Sequence, residues 1–259
     1  MYMKRKKAAL YDPYLDTMGG GEKHILSILQ ILNESHDIDI FWHEDLSNEI
    51  DSKLHISFKH KPHFLNTWNT AGTLQKFQML GAYDVFIYVT DGSYFFSSAK
   101  KNVAFCMVPQ KSLYSMTPLN LLKTWNYTFI SNSEYTKERL KGWEIFSEVI
   151  YPYIDFSLLD NDIITTKKPI ILSVGRFFPH LHTKRQDIAI EWFKVLKKEF
   201  ELFKDYSLVL AGSVEPEDEE YLHMLKRLAD GRDDIIFKTN ITFEEMKQLY
   251  QDALFYWHL

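Results

Sequence analysis

Short apolar runs alternate with helix-period runs along most of this chain, and that alternation restricts the fold more than any other feature. Lys7–Tyr11 reads as a strand, followed by a loop that ends in Gly19-Gly20-Gly21. From Glu22 onward Ile25, Ile28, Leu29 and Leu32 recur at the spacing of one helix face. Further strands are expected at Asp37–Trp42, Val85–Val89, Asn102–Val108, Tyr127–Ser131 and Val149–Tyr153, and Ser133 is placed to cap a helix. Glu44–Leu80 has no steady period and is expected to be irregular, with short elements. Strands separated by helices pair in parallel, so an α/β sheet covered by helices follows.

A second α/β run begins at Pro169. Its strands are expected at Pro169–Val174, Ser207–Ala211, Asp234–Lys238 and Ala253–Trp257, and its helices at Lys184–Phe200, Pro216–Ala229 and Thr242–Gln251. Thr242 and Glu245 have the spacing of a capping box. The 259 residues exceed the ~100–150 of a typical domain. The predicted organisation is an N-terminal Rossmann-like domain over residues 1–155, a linker over 156–168 and a partial C-terminal Rossmann-like domain over 169–259. Because the sequence stops within the apolar run Leu254–Trp257, the second domain is expected to be incomplete, truncated at its C-terminal end.

A formal charge of −5 leaves no broad basic field, so no nucleic-acid partner is expected. The single cysteine, Cys106, sits in the apolar run Val103–Val108; it excludes an internal disulfide, fits a reducing cytoplasm and reads as a buried spectator. No apolar run approaches the ~18 residues of a membrane span. Lys4-Arg5-Lys6-Lys7 reads as the solvated start of a strand, with a peripheral contact to anionic lipid left open.

Gly19, Gly20 and Gly21 lie between a strand and a helix, where the free N–H groups and positive end of the helix dipole favour an anion. The loop is neither a GxGxxG nor a Walker A sequence. In the second run Ser173-Val174-Gly175-Arg176 closes the first strand, at the sheet edge where open parallel sheets bind ligands. Lys184 follows at the expected helix start, and two cations there make sense around a diphosphate. Gly212 and Ser213 end the next strand at the same edge, and that glycine is expected to admit a nucleotide. His180 and His182 have no acidic or cysteine partner nearby in sequence, so no metal is expected. Pro109-Gln110-Lys111, Asn132 and Ser133 also follow strands and read equally well as turns and caps.

Together the Gly19–Gly21 loop, the turn Ser173-Val174-Gly175-Arg176-Phe177 with Lys184 and Gln186, and Ala211-Gly212-Ser213 resemble the family 4 (group 1) glycosyltransferases of GT-B fold. The tail Leu249–His258 looks like the family segment before its donor-binding loop, and Tyr11-Asp12-Pro13-Tyr14 with Gly19–Glu22 looks most like the mannosyltransferase branch. The resemblance implies a retaining transfer of a hexose from a UDP- or GDP-linked nucleotide sugar, without cofactor or metal. The first domain would face a glycan or lipid-linked acceptor and the second would hold the donor. Arg176 and Lys184 would grip the diphosphate, and the glycine loop would approach the donor phosphate or the acceptor. The setting implied is cell envelope glycan biosynthesis at the cytoplasmic face of the membrane. The family's paired glutamates belong beyond Leu259, and Pro109-Gln110 stands where many members have a histidine, so no catalytic residue is assigned. A non-catalytic nucleotide- or partner-binding fragment, and an α/β enzyme of another class such as an epimerase, stay open.

Overall fold

The computed structural model describes residues 5–153, 166–180 and 183–259, and divides the chain into two compact units, Met1–Asp155 and Phe156–Leu259. Residues 156–165 of the expected linker, and His182, lie outside the described residues.

In the first unit the elements run β1 (Lys6–Tyr11), α1 (Gly20–Leu32), β2 (His36–Ile40), α2 (Ser47–Leu54), β3 (His63–Phe64), α3 (Thr73–Leu80), β4 (Val85–Val89), β5 (Lys101–Cys106), α4 (Pro118–Thr124), β6 (Tyr127–Ser131), α5 (Glu134–Lys141) and β7 (Ser147–Val149). The strands pair in parallel in the order β3-β2-β1-β4-β5-β6-β7. Alternate residues serve opposite faces of the sheet. Leu10, Ile38, Ile40, Ile87 and Phe105 pack with Ile25, Leu26 and Leu29 of α1. Ala9, Phe86, Tyr88 and Ala104 pack with Phe41, Trp68, Tyr83 and Tyr94 on the other side. Full burial of each large apolar residue stabilises the fold by about 1.5–3 kcal/mol. Both faces of the sheet are covered, which a parallel sheet requires.

Glu44–Leu80 does hold short elements, α2, β3 and α3. The last strand is a correction: β7 covers Ser147–Val149 rather than Val149–Tyr153. Beyond it only the Ile150 N–H continues the ladder, donating to the Ser131 carbonyl. Pro152 has no N–H to add, and Tyr151 and Tyr153 are exposed. Helix α4 is an addition to the elements expected from apolar period. Ser133 caps α5, its hydroxyl accepting from the Thr136 N–H.

The second unit runs β8 (Lys168–Val174), α6 (Gln186–Glu199), β9 (Ser207–Gly212), α7 (Glu219–Ala229), β10 (Ile235–Thr239), α8 (Phe243–Asp252) and β11 (Ala253–Tyr256), with parallel strands in the order β10-β9-β8-β11. Ile171, Leu208 and Leu210 pack with Ala189, Phe193, Leu222 and Leu225 on one face; Leu172, Val209, Ala211 and Ala253 pack with Met246 and Leu249 on the other. Helix α6 starts at Gln186, not Lys184, because Arg185 is left-handed at φ 45°. The capping box at α8 forms: the Thr242 hydroxyl accepts from the Glu245 N–H, and the Glu245 carboxylate accepts from the Thr242 N–H.

In both sheets the first strand lies inside, and the strand order reverses beside it, between β1 and β4 and between β8 and β11. Such reversal points open a crevice outside the carboxyl ends of the strands.

Candidate functional site

Arg176 follows β8 at the reversal point of the second sheet. Its Nη2 donates to the Asp218 carboxylate at 2.9 Å, and the Glu217 carboxylate stands 3.9 Å away. The guanidinium lies over the Phe178 ring at 5.3 Å. Its Nε is buried and has no acceptor. The guanidinium is fixed by a buried carboxylate yet stays partly exposed, so its remaining accessible donors can take a second anion.

Lys184 comes to the same crevice from the loop ahead of α6. Its Nζ lies 3.0 Å from Nε2 of His258, which follows β11 across the reversal point. With the Nδ1–H tautomer, Nε2 of that imidazole accepts a hydrogen bond from the ammonium. No sequence motif singles out Asp218 or His258; each meets its partner only through the fold.

Gly175 and Gly212 are there for reasons of space. A Cβ on Gly175 would stand 2.2 Å from Cγ of Lys184, and one on Gly212 would stand 2.1 Å from the Gly175 carbonyl oxygen. The close approach expected at Gly212 is made by the protein's own backbone. The Ser213 carbonyl accepts from the Phe177 N–H, and the buried Gln186 carboxamide donates to the carbonyls of Gly175 and Arg176. The loop carrying Arg176 is thereby tied to β9 and α6.

In the first unit the glycine loop lies at the corresponding reversal point. The Gly19 N–H donates to the Glu22 carboxylate at 2.8 Å, so the positive end of α1 already faces an anion. Nothing lies within 4 Å of a Cβ on Gly20, whereas one on Gly21 would meet the Met107 sulfur at 2.5 Å. Asp12, directly after β1, is fully buried; its Oδ1 accepts from the Tyr14 N–H and its Oδ2 has no partner. Burial first, then the carboxylates of Glu22, Asp16 and Asp91, push its pKa up to about 7. His24 is buried on the Phe105 ring, and burial lowers its pKa, keeping it neutral.

The remaining candidates have structural duties. Asn132 donates to the Met107 carbonyl, and Gln110 donates to the Ser112 hydroxyl. Arg5 is engaged by Asp37 and by the carbonyls of Asn33, Glu34 and His36. Cys106 is buried, with its pKa pushed up to about 12 by burial. Among the described residues no three His, Cys, Asp or Glu residues cluster as metal ligands, and no helix is long and apolar enough to cross a membrane.

Residues 159–259 match the family model of the glycosyl transferases group 1. No curated protein matches the sequence. Among solved structures the chain is similar to Anabaena HepE in complex with UDP and glucose, at 14% identity over 97% of this chain and 74% of that one, with a TM-score of 0.62. It is also similar to a UDP-forming trehalose-phosphate synthase from Burkholderia xenovorans, at 10% identity over 96% and 77% of the two chains, with a TM-score of 0.56. A UDP-GlcNAc 2-epimerase from Neisseria meningitidis bound to UDP-GlcNAc matches at 12% identity over 97% and 76%, with a TM-score of 0.51. At these identities the likeness is one of fold: the chain has a GT-B-like α/β fold, with the second unit the shorter.

Proposed function

We propose that the chain is a group 1 glycosyltransferase that transfers a hexose from a nucleotide-diphosphate sugar, with retention and without a metal. The observation that carries this reading is that Arg176 and Lys184 both lie at the carboxyl edge beside the β8/β11 reversal point, on the stretch that matches the group 1 family. Arg176 and Lys184 hold the donor diphosphate and stabilise the charge that grows on it as the glycosidic bond breaks. Gly212 and Ser213 shape the adjoining wall. The Gly19–Gly21 loop, with Asp12 and Glu22 beside it, faces the acceptor. UDP and GDP both fit the diphosphate site. The setting we favour is the mannosyltransferase-like branch of family 4, acting on a cell envelope glycan or lipid-linked acceptor on the cytoplasmic side.

Calorimetric titration of the protein with UDP- and GDP-sugars tests the reading. Binding is expected with one of the two, and Arg176→Ala is expected to weaken it by about 1–3 kcal/mol, the scale of a charge-assisted contact. Absence of binding to either nucleotide, or equal binding by Arg176→Ala, overturns it. Conversion of a UDP-sugar in the absence of any acceptor would instead favour an epimerase.

A further inference from the structure

A second concave site lies in the first unit. It is a cavity of about 450 Å³ whose wall includes Thr73, Lys76, Ser93, Phe95, Asn120 and Lys123. Three segments that are far apart in sequence form it: the start of α3, the loop after β4 and helix α4. None of its lining residues is acidic. Asp91, which precedes the lining segment in sequence, is not on the wall, and its Oδ1 accepts from the Ser93 N–H.

The wall therefore carries two ammonium groups and no carboxylate. Among the described residues neither the Lys76 nor the Lys123 ammonium has an ion-pair or hydrogen-bond partner. The Lys76 ammonium is held over the Trp68 ring at 4.7 Å and the Phe95 ring at 5.3 Å. Ring faces attract a cation but balance only part of the cost of taking it out of water. Burial accordingly lowers the Lys76 pKa. An anion in the cavity would complete the compensation. The hydroxyls of Thr73 and Ser93, the Asn120 carboxamide and the Phe95 ring give the rest of the wall the polar and aromatic mixture that suits a sugar.

We propose that this cavity binds an acidic sugar, with Lys76 and Lys123 pairing with its carboxylate, sulfate or phosphate, and that it selects an anionic acceptor. The identification of this sugar as the acceptor rests on the glycosyltransferase reading; the anion site itself does not.

The test is titration of the full chain with glucuronate, glucose-6-phosphate, glucose and inorganic phosphate. The two acidic sugars are expected to bind about tenfold or more tighter than glucose or inorganic phosphate. Lys76→Met keeps the aliphatic stem on Trp68 and removes the charge; it and Lys123→Gln are each expected to weaken acidic-sugar binding by about tenfold while leaving UDP affinity unchanged. Glucose binding as tightly as glucuronate, or acidic sugars binding undiminished to the double variant, would overturn the anion site. Inorganic phosphate binding as tightly as glucose-6-phosphate would overturn the sugar. Acidic-sugar binding without any UDP or GDP binding would leave the cavity assigned and sink the transferase reading; nucleotide binding without acidic-sugar binding would do the reverse.

Discussion

Lys184 lays its side-chain stem across Gly175, so closely that a Cβ on the glycine would stand 2.2 Å from the lysine Cγ. The absence of a side chain at residue 175 thus sets where the ammonium of residue 184 can lie. Gly175→Ala is expected to displace Lys184 and weaken UDP binding by about three- to tenfold. Lys184→Ala added to that variant should weaken it little further, since both changes remove the same contact. Additive losses in a double-mutant titration would show that the two residues act independently.

The glycines should also separate by stability. Gly212→Ala forces a methyl to 2.1 Å from the Gly175 carbonyl and is expected to cost about 1–3 kcal/mol. Gly21→Ala presses on the Met107 thioether, which can rotate away, and should cost less. Gly20→Ala fills open space in the first turn of α1 and is expected to stabilise by up to about 1 kcal/mol. Urea midpoints for the three variants check the order.

Asp12 links stability to pH. Its folded pKa of about 7 lies above the ordinary value of 3.8, so between those limits the folded protein holds a proton that the unfolded one has released. Stability contributed by this group is therefore full below about pH 4 and is lost as pH rises towards 7, at up to about 1.4 kcal/mol per pH unit. Asp12→Asn keeps an acceptor for the Tyr14 N–H and removes the titration. Its stability relative to the parent protein should rise as pH goes from about 4 to 7 and level off above that. A difference that stays flat across that range would refute the assignment.

Cys106 gives a simpler reading. Buried, with a thiol pKa pushed up to about 12, it should be inert to a thiol-specific reagent in the native protein and react at once in denaturant. Rapid native reaction would mean that the strand around it opens readily.

Much of this architecture could be read from residue pattern, because a parallel sheet buries both faces of its strands and leaves runs such as Val85-Phe86-Ile87-Tyr88-Val89 unbroken by polar residues. Helix α4 escaped for the opposite reason: Leu119, Leu121 and Leu122 point into solvent, at 55%, 55% and 58% exposure, so its apolar residues do not mark an inward face. Arg176 was legible from its place after a strand, but its partner Asp218 is 42 residues further on and the His258 that meets Lys184 is 74 residues away. No local pattern announces pairings of that span. The Glu22 carboxylate on Gly19 was within reach of the sequence, since the two are only three residues apart; the burial of Asp12 was not, because it depends on packing contributed from elsewhere in the chain. The lysine cavity draws on three separated segments and has no sequence signature at all.

The inner position of β1 and β8 also bears on how the protein acquires its structure. Ala8 pairs with Val85, and Lys168 with Ala253, so one flank of each inner strand must wait for residues synthesised long after it. Until then a strand as apolar as Ala8-Ala9-Leu10 presents an open ladder to whatever strand comes first. Each unit is therefore most prone to misassociation early in its synthesis, and the pairings of β1 with β4 and of β8 with β11 are the steps that end the exposure.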